Sequence, residues 1–163
     1  MTSINDRVKQ LVRAEIRELK AYHVPDAGSL IKLDAMENPW SWPDDMRNAW
    51  LDTLKSAEIN RYPDPAARAL QADMRRVMDV PDAASVILGN GSDEVLAHIF
   101  HALFHHGEPV LFPDVTYSFY PVYCGLYNIE GKTVPLTDSF EINPEDYRQP
   151  NGGIIFPNPN APT

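Results

Sequence analysis

From Pro81 onward the chain repeats one pattern: a short apolar run, a turn, then residues at helical spacing. The apolar runs are residues 85–88, 109–112, 132–136 and 153–156, with helical stretches over 92–103 and 117–127. Short apolar runs without polar alternation need cover on both faces, and intervening helices supply it. The expected fold class is therefore α/β, built from βαβ units as a mainly parallel sheet with flanking helices. Pro135 weakens the third strand, because it has no N–H to give to a ladder.

Before residue 80 the pattern differs. Ile4, Val8, Leu11, Val12, Ile16 and Leu19 recur on one face, which predicts a single amphipathic helix at the start. Pro25 and Gly28 then mark a loop or extended arm, and residues 30–33 alternate well enough for a short strand. Pro43-Asp44-Asp45 opens a helix to about Ser56, with proline and acidic groups in its first turn. Another helix runs from Ala66 to about Met78. The shift near residue 80 divides the chain into a helical arm region, 1–80, and an α/β region, 81–163.

Charge excludes some partners. The 163 residues hold 14 Lys+Arg against 23 Asp+Glu, a formal net charge of -9. Such a surface repels polyanions, so neither nucleic acid nor an anionic membrane is an expected partner. A phosphate would have to be held by local donors. The N-terminal residues carry charges every few positions with no apolar signal-peptide core, and no apolar run approaches a bilayer span. The single cysteine, Cys124, can form no internal disulfide, which fits a reducing cytosol. The expectation is a soluble cytoplasmic protein.

The main chemical element is Leu88-Gly89-Asn90-Gly91-Ser92-Asp93-Glu94, a turn leading into a helix. Free N–H groups at a helix start, with a serine hydroxyl, make a phosphate site that needs no net positive charge. An ordinary N-capped turn explains the same residues. The glycine spacing is wrong for a dinucleotide fingerprint, and no lysine follows as in a Walker loop. Tyr117, Phe119 and Tyr120 follow the second apolar run, where an aromatic can stack on a flat ligand ring or simply pack a helix. In Asn60-Arg61-Tyr62-Pro63-Asp64-Pro65 two prolines stiffen a loop that points Arg61 and Tyr62.

His98, His101 and His105 share a helix face with His106 beside them. Without a nearby cysteine or a spaced acidic partner, they read as a partly exposed face rather than a metal site. Cys124, set among Tyr123, Leu126 and Tyr127, reads as a buried structural thiol.

The order of these motifs is more specific than any one of them. Residues 32–39 (Lys-Leu-Asp-Ala-Met-Glu-Asn-Pro), 61–65, 89–94, Thr116-Tyr117 and 158–163 (Asn-Pro-Asn-Ala-Pro-Thr) follow in a familiar succession. The chain from about Tyr22 onward resembles the histidinol-phosphate aminotransferases, pyridoxal-phosphate transferases of fold type I that serve histidine biosynthesis. The resemblance implies a cofactor, pyridoxal 5'-phosphate, and a homodimer acting on small-molecule substrates. It implies transamination between L-histidinol phosphate and 2-oxoglutarate, giving imidazole acetol phosphate and glutamate, and the reverse. Region 1–80 would then be an arm with part of the small domain, and 81–163 the first part of the large cofactor-binding domain.

The same resemblance assigns roles. Ser92 and Asp93 would hold the cofactor phosphate, Tyr117 would stack on its ring, and Asn160 would bond its 3-oxygen. Tyr62 would reach the partner subunit's cofactor phosphate, while Tyr22 and Asn38 would close over substrate. The commonest signature has two adjacent asparagines before Pro-Thr-Gly, whereas Ala161 stands second here. Either Asn160 carries the contact or the register differs.

No catalytic residue is assigned within the chain. Lys9, Lys20, Lys32, Lys55 and Lys132 do not match the Schiff-base context, and that lysine is expected beyond Thr163. The chain ends directly after an apolar run, at the edge where open α/β sheets place ligands, so a fragment is expected. Such a fragment would bind cofactor weakly, would not transaminate, and would be poorly soluble or molten. The implied sheet order is 3-2-4-5-6-7-1, which separates the first strand from the next three. Other readings are an aromatic aminotransferase or phosphothreonine decarboxylase of the same fold, a non-catalytic phosphate-ligand module, and a structural α/β domain without ligand.

Overall fold

The computed structural model describes residues 3–20, 23, 25–33, 37–104 and 106–163. The chain divides into two compact units: residues up to Lys20 join Ile87–Thr163, and Ala21–Val86 forms the second. The division therefore falls at residues 20 and 86, and the first helices belong with the α/β unit.

In the α/β unit, α1 (Ile4–Leu11) and α2 (Ala14–Glu18) stand where one helix is expected. Val12 is extended, with φ -93 and ψ 127. Nothing in the local sequence marks this break. Beyond it the Arg13 guanidinium donates to the Leu126 carbonyl at 2.8 Å, so a contact 113 residues away accompanies the turn.

The centre of the unit is α5 (Gly91–Leu103), β1 (Val110–Pro113), α6 (Tyr120–Tyr127), β2 (Gly131–Val134) and β3 (Gly153–Ile154). The second unit's helices are α3 (Asp44–Lys55) and α4 (Arg68–Val77). The three strands form a parallel sheet in the order β2-β1-β3. In the numbering of the four expected strands this is 3-2-4, the local order that the resemblance implies. Pairing continues past β1, where Asp114 N–H donates to Val134 O at 3.0 Å. On the other side, Ile155 N–H donates to Leu111 O at 2.9 Å.

Central position explains the β1 sequence. Val110 and Phe112 point to one face, where Phe100, Tyr120, Tyr123, Cys124 and Ile129 make the main core. Leu111 points to the other face and packs with Val134 and Tyr147. A strand buried on both sides has to be apolar at every position. Phe100 sits at the middle of an aromatic cluster, 5.2 Å from both Phe104 and Tyr123 between ring centroids.

Four further expected elements differ. Residues 85–88 form no strand, and Ile87 is 76% exposed. In the order that the resemblance implies, its neighbour is strand 7, and β1, β2 and β3 pair among themselves without it. Residues 30–33 also form no strand; Leu30, Ile31 and Leu33 are all exposed and no neighbouring strand is bonded to them. The third strand ends at Val134, one residue before Pro135 removes the next donor. The helix expected from 117 starts at Tyr120, with Pro121 in its first turn fixing the entry.

In the second unit, α4 is preceded by Asp64, whose carboxylate accepts from Ala66 N–H at 3.1 Å and Arg68 N–H at 3.0 Å. Its pKa is lowered by the backbone N–H of Arg68, then that of Ala66. Neither α3 nor α4 contains a buried residue.

Candidate functional site

The site is built where the turn before α5 meets the segment after β1. Gly89 is needed for a close approach: a Cβ there would lie 2.9 Å from Val95 Cγ2 and 3.0 Å from Glu94 Oε2. Gly91 has φ +78, a backbone conformation that favours glycine. Glu94 folds back so that its Oε2 accepts from Asn90 N–H at 2.6 Å. Gly91 N–H donates to Gly89 O at 2.9 Å, and no side chain caps α5 from Asn90, so the N–H groups that follow Gly91 in the first turn keep their capacity for a ligand. Ser92 lies exposed in that turn.

Asp93 is the hub. Its Oδ1 accepts from the Tyr117 hydroxyl at 2.5 Å and from the Tyr123 hydroxyl at 3.2 Å. The Tyr123 hydroxyl also donates to the Asp93 carbonyl at 3.0 Å. Burial, then the hydrogen bond to Asp93, pushes the Tyr117 phenol far up. Burial, then the Asp93 charge, pushes Tyr123 up to about 12. Both phenols therefore stay protonated as donors at neutral pH. The Asp93 carboxylate is tied to two hydroxyls, while that of Glu94 covers Asn90 N–H in the turn before the helix.

The half-buried Tyr117 ring lies against Phe119 at 5.6 Å and 17°, and edge-on to Tyr120 at 5.6 Å. The preceding residue, Thr116, donates to Asn160 Oδ1 at 2.6 Å. Asn160 Nδ2 donates to Val115 O at 2.9 Å and to Thr163 Oγ1 at 2.7 Å. Ser92, Asp93, Tyr117 and Asn160 are thus gathered at the carboxyl ends of β1 and β3, the edge where open α/β sheets bind ligands.

Tyr62 and Asn38 belong to the second unit. Tyr62 is fully exposed, and Asn38 Oδ1 accepts from Trp40 N–H at 3.0 Å in a tight turn. Tyr22 lies outside the described residues, as does His105. His101 stacks on Tyr127 at 5.1 Å, and His106 Nε2 lies 3.0 Å from Gly152 O. Among the described residues no group of three His, Cys, Asp or Glu is placed to hold a metal, and no helix is long and apolar enough to cross a membrane. Cys124 is buried, and burial pushes its thiol up to about 11.

Sequence reasoning assigned no role to Tyr123 or to Thr116. A tyrosine on the apolar face of a helix needs a partner for its hydroxyl, and that requirement was the available signal for Tyr123.

A family model for aminotransferase class I and II matches residues 29–163. The chain belongs to this family. Among the relatives of this aminotransferase chain is histidinol-phosphate aminotransferase 1 of Methylococcus capsulatus, 52% identical over 153 residues, covering 92% of this chain and 42% of the relative. Histidinol-phosphate aminotransferase 2 of Dechloromonas aromatica is 53% identical over 154 residues, covering 91% of this chain and 43% of the relative. Histidinol-phosphate aminotransferase of Pseudomonas syringae is 54% identical over 146 residues, covering 85% and 39%. The chain thus spans about two fifths of the length of these relatives. A crystal structure described as a candidate aminotransferase from Burkholderia pseudomallei superposes with a TM-score of 0.64 at 21% identity, covering 78% of this chain and 38% of that one. It shows the same fold.

Proposed function

We propose that the protein carrying this chain is a pyridoxal 5'-phosphate-dependent transaminase of L-histidinol phosphate and 2-oxoglutarate, working as a cytoplasmic homodimer in histidine biosynthesis. One observation carries the reading: the uncapped start of a 13-residue helix lies beside a tyrosine ring tied to it through Asp93. The names of relatives at 52–54% identity support the choice of substrate.

The residues present fit the cofactor. A phosphate dianion matches the first-turn N–H groups of α5 and the Ser92 hydroxyl. Asp93, itself an anion, would repel it if turned toward those N–H groups, and the two phenols hold its carboxylate on themselves. Tyr117 offers an aromatic ring for the pyridine ring to stack on. When bound, the cofactor withdraws electrons from the substrate's Cα. In this reading Tyr62 serves the partner subunit's phosphate site, and Asn38 with Tyr22 orients substrate and excludes water. The proton-moving lysine is assigned to sequence beyond Thr163.

The test is an assay of the whole protein, following glutamate formation from L-histidinol phosphate and 2-oxoglutarate. Turnover is expected from the whole protein and none from the 163-residue chain alone. A whole protein that ignores histidinol phosphate but accepts aromatic amino acids would overturn the substrate. Turnover by the chain alone would overturn the placement of the lysine.

A further inference from the structure

We infer that Asn160 is a positioning residue, tying the loop after β3 to the loop after β1 so as to set the Tyr117 ring, and is not a donor to the cofactor. The inference rests on the functional reading above for what the ring does, and on the side chain's own hydrogen bonds for the rest.

A side-chain amide has two N–H donors and one oxygen with two lone pairs. Asn160 uses Nδ2 twice, on Val115 O at 2.9 Å and on Thr163 Oγ1 at 2.7 Å. Its Oδ1 accepts from Thr116 Oγ1 at 2.6 Å. The Val115 carbonyl can only accept, so it fixes which amide atom is the nitrogen. What remains on Asn160 is one lone pair. An ionised 3-oxygen of a pyridoxal ring needs a donor, and this amide has none left. Position 161, where the commonest signature carries a second amide, is Ala161 and has no side-chain donor at all.

The partners show what the amide does instead. Val115 and Thr116 immediately precede Tyr117, so Asn160 holds the backbone end of that residue while Asp93 holds its hydroxyl end. A ring pinned at both ends has few orientations left, and a stacking platform gains affinity from that preorganisation.

The experiment uses the whole protein, with pyridoxal 5'-phosphate as the probe, and compares Thr116→Val, Asn160→Ala, the double variant and Thr116→Ser. Two readouts are taken: the dissociation constant of the cofactor, and the pH midpoint of its visible absorption band. Thr116→Val is expected to weaken binding by about 3- to 10-fold, the worth of one ordinary hydrogen bond, and Asn160→Ala, which removes three, by more. The double variant should lose no more than the worse single one, Thr116→Ser should restore affinity, and the pH midpoint should not move in any of them. A midpoint that shifts in Asn160→Ala but not in Thr116→Val overturns the inference, since it marks a lost donor at the 3-oxygen. Additive losses overturn it as well.

If Asn160→Ala does not fold, the Thr116→Val and Thr116→Ser pair carries the test through the same two readouts. If the unmodified protein binds no cofactor, the functional reading fails. The brace is then judged by proton exchange at the Asn160 side-chain amide, expected to be slow and to quicken in Thr116→Val. Fast exchange in the unmodified protein overturns it.

Discussion

The Tyr117 hydroxyl meets Asp93 Oδ1 at 2.5 Å, joining the segment after β1 to the first turn of α5 across 24 residues of sequence. A phenol bonded to a carboxylate is a charge-assisted pair, worth about 1.5–3 kcal/mol where water is excluded. Half-burial reduces that figure, so Tyr117→Phe is expected to cost about 1 kcal/mol in denaturant unfolding. Asp93→Ala should cost more, because two phenols then lose a carboxylate partner. Equal losses would show that Tyr123 is satisfied by the Asp93 carbonyl alone.

Alkaline pH should loosen the α/β unit. Burial raises the thiol of Cys124 from an ordinary 9.0 to about 11, and burial with the Asp93 charge raises Tyr123 from 10.0 to about 12. Tyr120 and Tyr147 are also raised, burial coming first in both. All are acids whose neutral form the fold prefers. Their contribution is whole below the ordinary value and disappears as pH rises through the folded one. Stability should therefore decline from about pH 9 to about pH 12. Tyr123→Phe should flatten the upper part of that decline; an unchanged slope would count against the assignment.

Two glycines should respond in opposite directions to alanine. A Cβ on Gly131 would sit 2.8 Å from Cys124 Sγ and 3.1 Å from the Phe112 ring, both in the core. Gly131→Ala is expected to destabilise by about 1–3 kcal/mol, as overpacking does. Gly125 lies within α6 with nothing in reach of a Cβ, so Gly125→Ala should stabilise by about 0.5–1 kcal/mol. Denaturation midpoints of the two variants decide the matter.

Amide exchange should separate the two units. β1 is buried at every position, whereas α3 and α4 contain no buried residue and expose Met46, Trp50, Leu51, Leu54, Leu70 and Val77. Helices without buried contacts open at low free energy. Exchange in α3 and α4 is expected to be at least about tenfold faster than in β1, and the isolated chain should bind a hydrophobic dye. Uniform protection, with no dye binding, would contradict this.

Much of the α/β unit was legible because its determinants are local. An unbroken apolar run such as Val110-Leu111-Phe112 can only be central, and Pro135 and Pro121 mark where a strand stops and a helix starts. Residues 85–88 carry the same apolar signal and form no strand. Composition shows that a run is suited to a sheet, but a strand also requires a neighbour with free hydrogen-bonding groups. The break between α1 and α2 was hidden for a related reason, since Arg13 finds its acceptor on a distant helix. In the site, the residue types at positions 92, 93 and 117 suggested a phosphate and ring platform. The tie on Asp93 depends on Tyr117 and Tyr123, and the saturation of Asn160 depends on Thr116, Val115 and Thr163; both are properties of tertiary contact.

The bond from Arg13 to Leu126 also sets a timetable for synthesis. Its two ends are 113 residues apart, so at about 5–20 residues per second a ribosome needs roughly 6–23 s to make the second end. Throughout that interval α2 lacks its partner α6. During translation α2 therefore docks on α6 only after α6 has emerged.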